Sequence, residues 1–334
     1  MELSQNEASG RSYRMSVGCK SSKVSGVLGE CVAMKPSLAA TCRTWHHRPM
    51  QLEISHVTRF DYDREVQLQL HLLYLRPREN PLLEVNRLDF SLTPDATLHW
   101  MRDDFDNLMA TVQFSSGGSG VEIRSECAVQ TSDLPPFDFL VRDYARVFPF
   151  VYEPLHAFNL SIYLVAGQAA AQAPLRAWVG QRMQDPPEDT VAWLFALNRV
   201  IHQQLRYRRR AEPGIQRPLT TLELGSGSCR DFAVFLVEIA RAFGLAARFV
   251  SGYMLDAGND GHASGDMHAW VEVFLPGAGW RGMDPTHGIF CDNAYVPVAH
   301  AVVAESVNPV QGSFFSEVPA AARMTTDVRV RRTA

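Results

Sequence analysis

The chain has little excess of charge, no long apolar run, and few cysteines, none of them in paired spacing. With 32 basic against 36 acidic side chains in 334 residues, its formal net charge is −4. It therefore has no basic field to hold nucleic acid or an anionic membrane surface. Glu30 and Lys35 break the only weakly apolar stretch near the start, so nothing approaches the ~20 residues of a membrane helix and a soluble protein is expected. Six cysteines occur without a CxxC pair, which excludes a disulfide framework and points to reduced thiols and the cytoplasm. Leu38-Ala39-Ala40-Thr41-Cys42 is close to a lipoprotein cleavage box, but Thr41 stands where the cysteine should come, so secretion is not expected.

What is present suits a globular chain of two regions: 46% hydrophobic and 20% charged residues. Residues 1–49 are rich in Ser, Gly, Ala and basic residues without apolar periodicity; they read as a disordered leader or an over-extended start. Residues 50–150 read as β-rich, with short runs such as Leu68 to Leu75, Leu88 to Leu92, Thr111 to Phe114 and Val121 to Val129 between turn clusters, at spacings that suit an antiparallel sandwich. A Pro-rich passage leads into residues 151–334. There the pattern predicts helices over Ala171 to Met183, Thr190 to Tyr207 after an Asp189 cap, and Cys229 to Phe243 with Gly244 as its stop. Strands follow at Ala246 to Leu255, Met267 to Leu275 and Trp280 to Met283. Helices followed by an antiparallel sheet give the α+β class.

Cys229 follows Gly225-Ser226-Gly227-Ser228 and opens an amphipathic helix. The sulfur is thereby set beside unsatisfied backbone N–H groups at the positive helix end, where a thiolate is favoured. A thiolate needs a proton partner, and that partner an orienting group. His268 heads a strand in which alternation puts His268, Trp270 and Glu272 on one face, expected to be the face toward the helix. Asp284 ends the next strand, before Pro285. A plain four-residue connection over Pro276 to Gly279 would set Asp284 opposite Val271, on the wrong face. A bulge at Gly279 or one more residue in the connection sets it opposite Trp270, diagonal to His268, and that register is expected.

Four ordered blocks, Gly227 to Ala233, Gly244 to Tyr253, His268 to Val273 and Gly282 to Thr286, resemble the bacterial transglutaminase-like superfamily. Ser55 to Thr58, Leu75 to Arg78 and Asp104 to Asn107 resemble the β-rich domain that accompanies that core. The resemblance covers about residues 51 to 315. It implies a papain-like core, a Cys229, His268 and Asp284 triad, and acyl transfer from an amide of a peptide or protein through a thioester, with no cofactor. Where relatives carry a Gly-Arg-Asp-Tyr block, this chain has Ala304 to Pro309, which bears on a wall of the cleft.

Hydrolysis is favoured over cross-linking of glutamine to amines; a non-catalytic module that keeps the fold is the rival of another class. Asp231 reads as a first-turn carboxylate favoured by the helix dipole, and Arg206 to Arg210 as a solvated basic helix end. Trp270 and Glu272 are assigned to packing or the cleft wall, and Cys127 and Cys291 to inert positions. A zinc site from Cys229, His262, His268, His287 and Cys291 is not expected, because none of these forms a ligand pair of the usual spacing.

Overall fold

The computed structural model describes residues 49–133, 135–210, 212, 214–255 and 267–333. The expected leader, apart from Pro49, and His262 lie outside the described residues. Five antiparallel strands open the fold: β1 (Met50–Leu73), β2 (Leu83–Thr93), β3 (Ala96–Arg102), β4 (Leu108–Phe114) and β5 (Gly118–Thr131). β1 is one strand of 24 residues where the sequence suggested only short runs. Its first half pairs with β5, which pairs with β2; its second half pairs with β4, which pairs with β3. The crossing from one sheet to the other falls at a register irregularity between Asp61 and Val66. There Gly117 lies so close that a Cβ would sit 2.3 Å from the Val66 carbonyl oxygen. Both sheets contribute to one core, with Leu73, Val112, Val121 and Ile123 buried in it, which is the sandwich logic of inward-facing alternation.

The second region begins with two short helices, α1 (Pro154–Asn159) and α2 (Ser161–Leu164), then α3 (Gln172–Arg182) and α4 (Thr190–Gln204). Asp189 caps α4 as expected, accepting from the Ala192 N–H at 2.8 Å. α4 stops three residues before the predicted end because Leu205 is extended. This frees β6 (Arg206–Tyr207) to pair in parallel with β7 (Ser226–Gly227), on the far side of α5 (Pro218–Leu224). α6 (Cys229–Ala242) buries Phe232, Phe235, Leu236 and Ile239. Gly244 ends it at φ +79°, a conformation glycine takes without a Cβ clash. A five-stranded antiparallel sheet lies under α6: β8 (Ala247–Met254), β9 (His268–Leu275), β10 (Gly279–Asp284), β11 (Ile289–Phe290) and β12 (Tyr295–Ala301), in the spatial order β11-β10-β9-β8-β12.

The chain then returns to its first strand. β13 (Val310–Phe315) pairs with the second half of β1 and β14 (Ala322–Thr333) with the first half. Residues 310–333, grouped by sequence with the region 151–334, thus complete the first sheets. The physical reason is that β1 offers two hydrogen-bonding edges, and β5 and β4 satisfy one side only. Val328 and Val330 are buried in a core that also contains Met50, Leu52 and Ile54 as well as α6 residues. The two regions are tied directly: His56 Nδ1 lies 3.0 Å from the Tyr253 hydroxyl, and Asn107 bonds both the His300 carbonyl and its N–H. Among the described residues no helix is long and apolar enough to cross a membrane.

If the returning strand is part of the core, Val330→Ala should lower the unfolding free energy by about 1.5–3 kcal/mol, the value of a fully buried Val side chain. Urea denaturation checks this; a change within about 0.5 kcal/mol, as at a surface site, would mean that β14 merely decorates the edge.

Candidate active site

Cys229 is the first residue of α6, half-buried at the end of the β7 segment. The loop before it is held by Asp231, which is fully buried. Asp231 accepts from the Ser228 N–H and hydroxyl at 2.8 and 2.9 Å, from the Gln216 N–H at 2.7 Å, and from Arg210 through Nε at 2.8 Å and a terminal amine at 3.2 Å. Arg210 is therefore no solvated helix end; it neutralises the carboxylate that shapes the loop carrying the thiol. Gly227 is required beside it, since a Cβ there would lie 2.7 Å from the Asp231 Cβ.

The β9–β10 register is the one expected. Gly279 pairs with Leu275 and Met283 with Val271, which puts Asp284 in line with Trp270. Only three residues, Pro276 to Ala278, connect the paired positions. Gly277 at φ +88° and Gly279 at φ +76° make the tight turn possible, and losing one residue restores the same phase that a bulge would give. The face assignment differs from expectation. Ala269, Val271 and Val273 share the core under α6, while Trp270 packs with Val250 and Tyr295 in a separate cluster. His268 stacks along Trp270, ring centroids 6.2 Å apart, and holds the first position of its strand, where the Cys229 thiol is near enough to raise its imidazole.

Asp284 is fully buried, and four donors converge on it. Oδ2 accepts from His268 Nε2 at 2.7 Å, His287 Nδ1 at 2.6 Å and the Tyr295 hydroxyl at 2.7 Å; Oδ1 accepts from the Thr286 N–H at 2.7 Å. Burial alone would raise the Asp284 carboxyl, but the His268 charge and the hydrogen bonds from His268 and His287 outweigh it and hold the group well below the usual carboxylate range. Burial likewise opposes the His268 imidazolium. The Asp284 charge and hydrogen bond, with the bond to the Cys229 thiol, overcome that and raise the imidazole to about 10. Burial and the same carboxylate push the Tyr295 phenol up, keeping it a donor.

His268 and Asp284 are thus brought together, and Cys229 lies near enough to His268 to act on its imidazole. His287 was considered only as a zinc ligand and Tyr295 was missed. Spacing could have flagged His287, three residues past Asp284; Tyr295 belongs to a strand whose place in the sheet no periodicity reveals. Trp270 and Glu272 pack as assigned: Trp270 meets the Tyr295 ring edge-on at 5.3 Å and Glu272 holds Arg248 at 2.6 Å. Burial raises the thiols of Cys127, to about 12, and of Cys291. Among the described residues, ligand atoms of His268, Asp284 and His287 lie within 4.8 Å of one another, but both imidazoles already use Asp284 Oδ2 as their acceptor.

The raised imidazole has a consequence for stability. Its contribution is complete below its free value of about 6.5 and is lost as pH climbs through about 10. The urea midpoint of the wild type should therefore exceed that of Asp284→Asn most at pH 6, with the gap narrowing steadily toward pH 10; a gap independent of pH would remove the charge pairing.

Residues 178–285 match the model of the transglutaminase-like superfamily, and residues 52–130 that of the bacterial transglutaminase-like N-terminal region. An uncharacterized protein of Mycobacterium bovis is 35% identical over 98 residues, covering 27% of this chain and 31% of that protein. A protein-glutamine gamma-glutamyltransferase of Pseudomonas aeruginosa is 32% identical over 89 residues, 24% of this chain and 13% of that protein. The match spans less than a third of either relative. The solved structure of a candidate cysteine protease from Cytophaga hutchinsonii superposes with a TM-score of 0.63 at 14% identity, covering 86% of this chain and 98% of that one, a likeness of fold. Over residues 52–130 and 178–285 the chain is therefore similar to a bacterial transglutaminase-like N-terminal region followed by a transglutaminase-like superfamily core.

Proposed function

We propose that the protein is a cysteine-dependent acyl-transfer enzyme that acts on peptide or carboxamide bonds through a thioester, and that water is its usual acceptor. The observation that carries this reading is a helix-mouth thiol set near an imidazole that the buried Asp284 carboxylate holds at 2.7 Å. With Nε2 committed to Asp284, the other ring nitrogen, Nδ1, is left for the thiol proton. Cys229 Sγ then attacks the carbonyl carbon, and the imidazolium returns the proton to the departing amine or ammonia, leaving an acyl-thioester. Water adds to the thioester with His268 as base, and the acid and the free thiol are released.

The Cys229 N–H, first in its helix and without an intrahelical acceptor, suits the oxyanion; such a donor contributes roughly 3 kcal/mol in comparable sites. The free thiols among the described residues suit a reducing compartment, the cytoplasm. Transfer to an amine is the second reading, favoured by the glutamyltransferase name of one partial relative.

Alkylation by iodoacetamide at pH 6 tests the thiol. Cys229 of the wild type should react at least about a hundredfold faster than in His268→Ala, the scale of general acid–base assistance; equal rates would sink the enzymatic reading. Ammonia release from carbobenzoxy-glutaminyl-glycine, with and without hydroxylamine, separates the acceptors: a hydrolase gives the acid in both, a cross-linker diverts the acyl group to hydroxamate.

A further inference from the structure

Asp284 stands at the last position of its strand, before Pro285, and a carboxylate can turn about its final bond with little preference. Something must decide which oxygen faces His268. An ionised carboxylate offers about four acceptor sites, about two on each oxygen, and the four donors here divide unevenly between them. Thr286 takes Oδ1, and the three others meet at Oδ2.

Tyr295 reaches Oδ2 from β12, which lies three places from β10 in the sheet. Its ring passes over Trp270 and His268, at 5.3 and 6.1 Å between centroids. Gly252 leaves the room for this stack, because a Cβ there would lie 2.4 Å from the Trp270 ring. His287 comes from a different element, the turn after β10, with 44% of its side chain exposed. A proton relay from His268 to His287 would require Asp284 to take up the proton between them, and Asp284 is held ionised.

We infer that Tyr295 and His287 are positioning residues, a clamp of two donors from separate elements that fixes Asp284 Oδ2 on His268 Nε2. The inference deepens the proposed cysteine chemistry and rests on it for its purpose, though the clamp itself can be read without catalysis.

Two effects of losing a clamp donor have opposite signs. If the donor only shares the carboxylate's charge, its loss leaves more charge for His268, and the imidazole titrates higher. If the donor aims the carboxylate, its loss lets Oδ2 swing away, and the imidazole titrates lower. Tyr295→Phe removes one hydroxyl and keeps the ring; His287→Ala removes a partly exposed side chain, and His287→Gln restores an N–H donor.

In a Cys229→Ala background, the His268 Cε1 proton followed by NMR should titrate at least one pH unit lower in Tyr295→Phe and in His287→Ala, and recover in His287→Gln. With Cys229 present, iodoacetamide alkylation at pH 6 should slow about tenfold in Tyr295→Phe. An unchanged or higher His268 titration in both variants overturns the clamp. Wild-type Cys229 alkylating no faster than in His268→Ala overturns the enzyme reading alone, since the NMR titration does not depend on it.

Discussion

The site depends on keeping one carboxylate ionised where no water reaches it. An unpaired buried charge costs several kcal/mol, so Asp284 is tolerable only when the fold delivers its donors: His268 from β9, Thr286 and His287 from the turn after β10, and Tyr295 from β12. Assembly of the sheet and formation of the site are in this sense one event. The turn itself is gripped from behind by α4. Asn198 donates to the Asp284 and Ile289 carbonyls, and His202 lies 2.7 Å from the Thr286 carbonyl.

Asp231 repeats the device on the thiol side. It too is fully buried, and it is met by Arg210, Gln216 and Ser228. The thiol loop and the imidazole strand are thus each steadied by an acid that never meets solvent. Neither acid is steadied by its own element alone: Arg210 lies 21 residues from Asp231 in the chain, and Tyr295 lies 11 from Asp284 across the sheet. Charge satisfaction therefore ties together segments whose apolar packing could otherwise slide.

Much of this was legible in the sequence because periodicity and punctuation report local geometry. Asp189, the stripe of α6 and Gly244 mark helix limits, and the demand that Asp284 face His268 selects the β9–β10 phase. What stayed hidden was long-range. Alternation alone could not say which face of β9 lies under α6, and the charged residues of β14 mask an edge strand whose partner, β1, lies at the other end of the chain. Arg210 looked like a solvated helix end because its partner acid is named only by the fold. The motif residues His56 and Asn107 prove to be the joints between the two regions, through Tyr253 and His300.

The pairing of β14 with β1 also bears on how the molecule comes into being. Glu53 meets Arg331 across 278 residues of chain, so during synthesis one edge of the opening strand stays bare while everything between is made. The sheet and helix that carry the thiol and imidazole are translated well before that gap is closed. On the ribosome, then, the sandwich is sealed only after the thiol helix and the imidazole strand have been made, and its open edge is exposed meanwhile to pairing with the wrong strand.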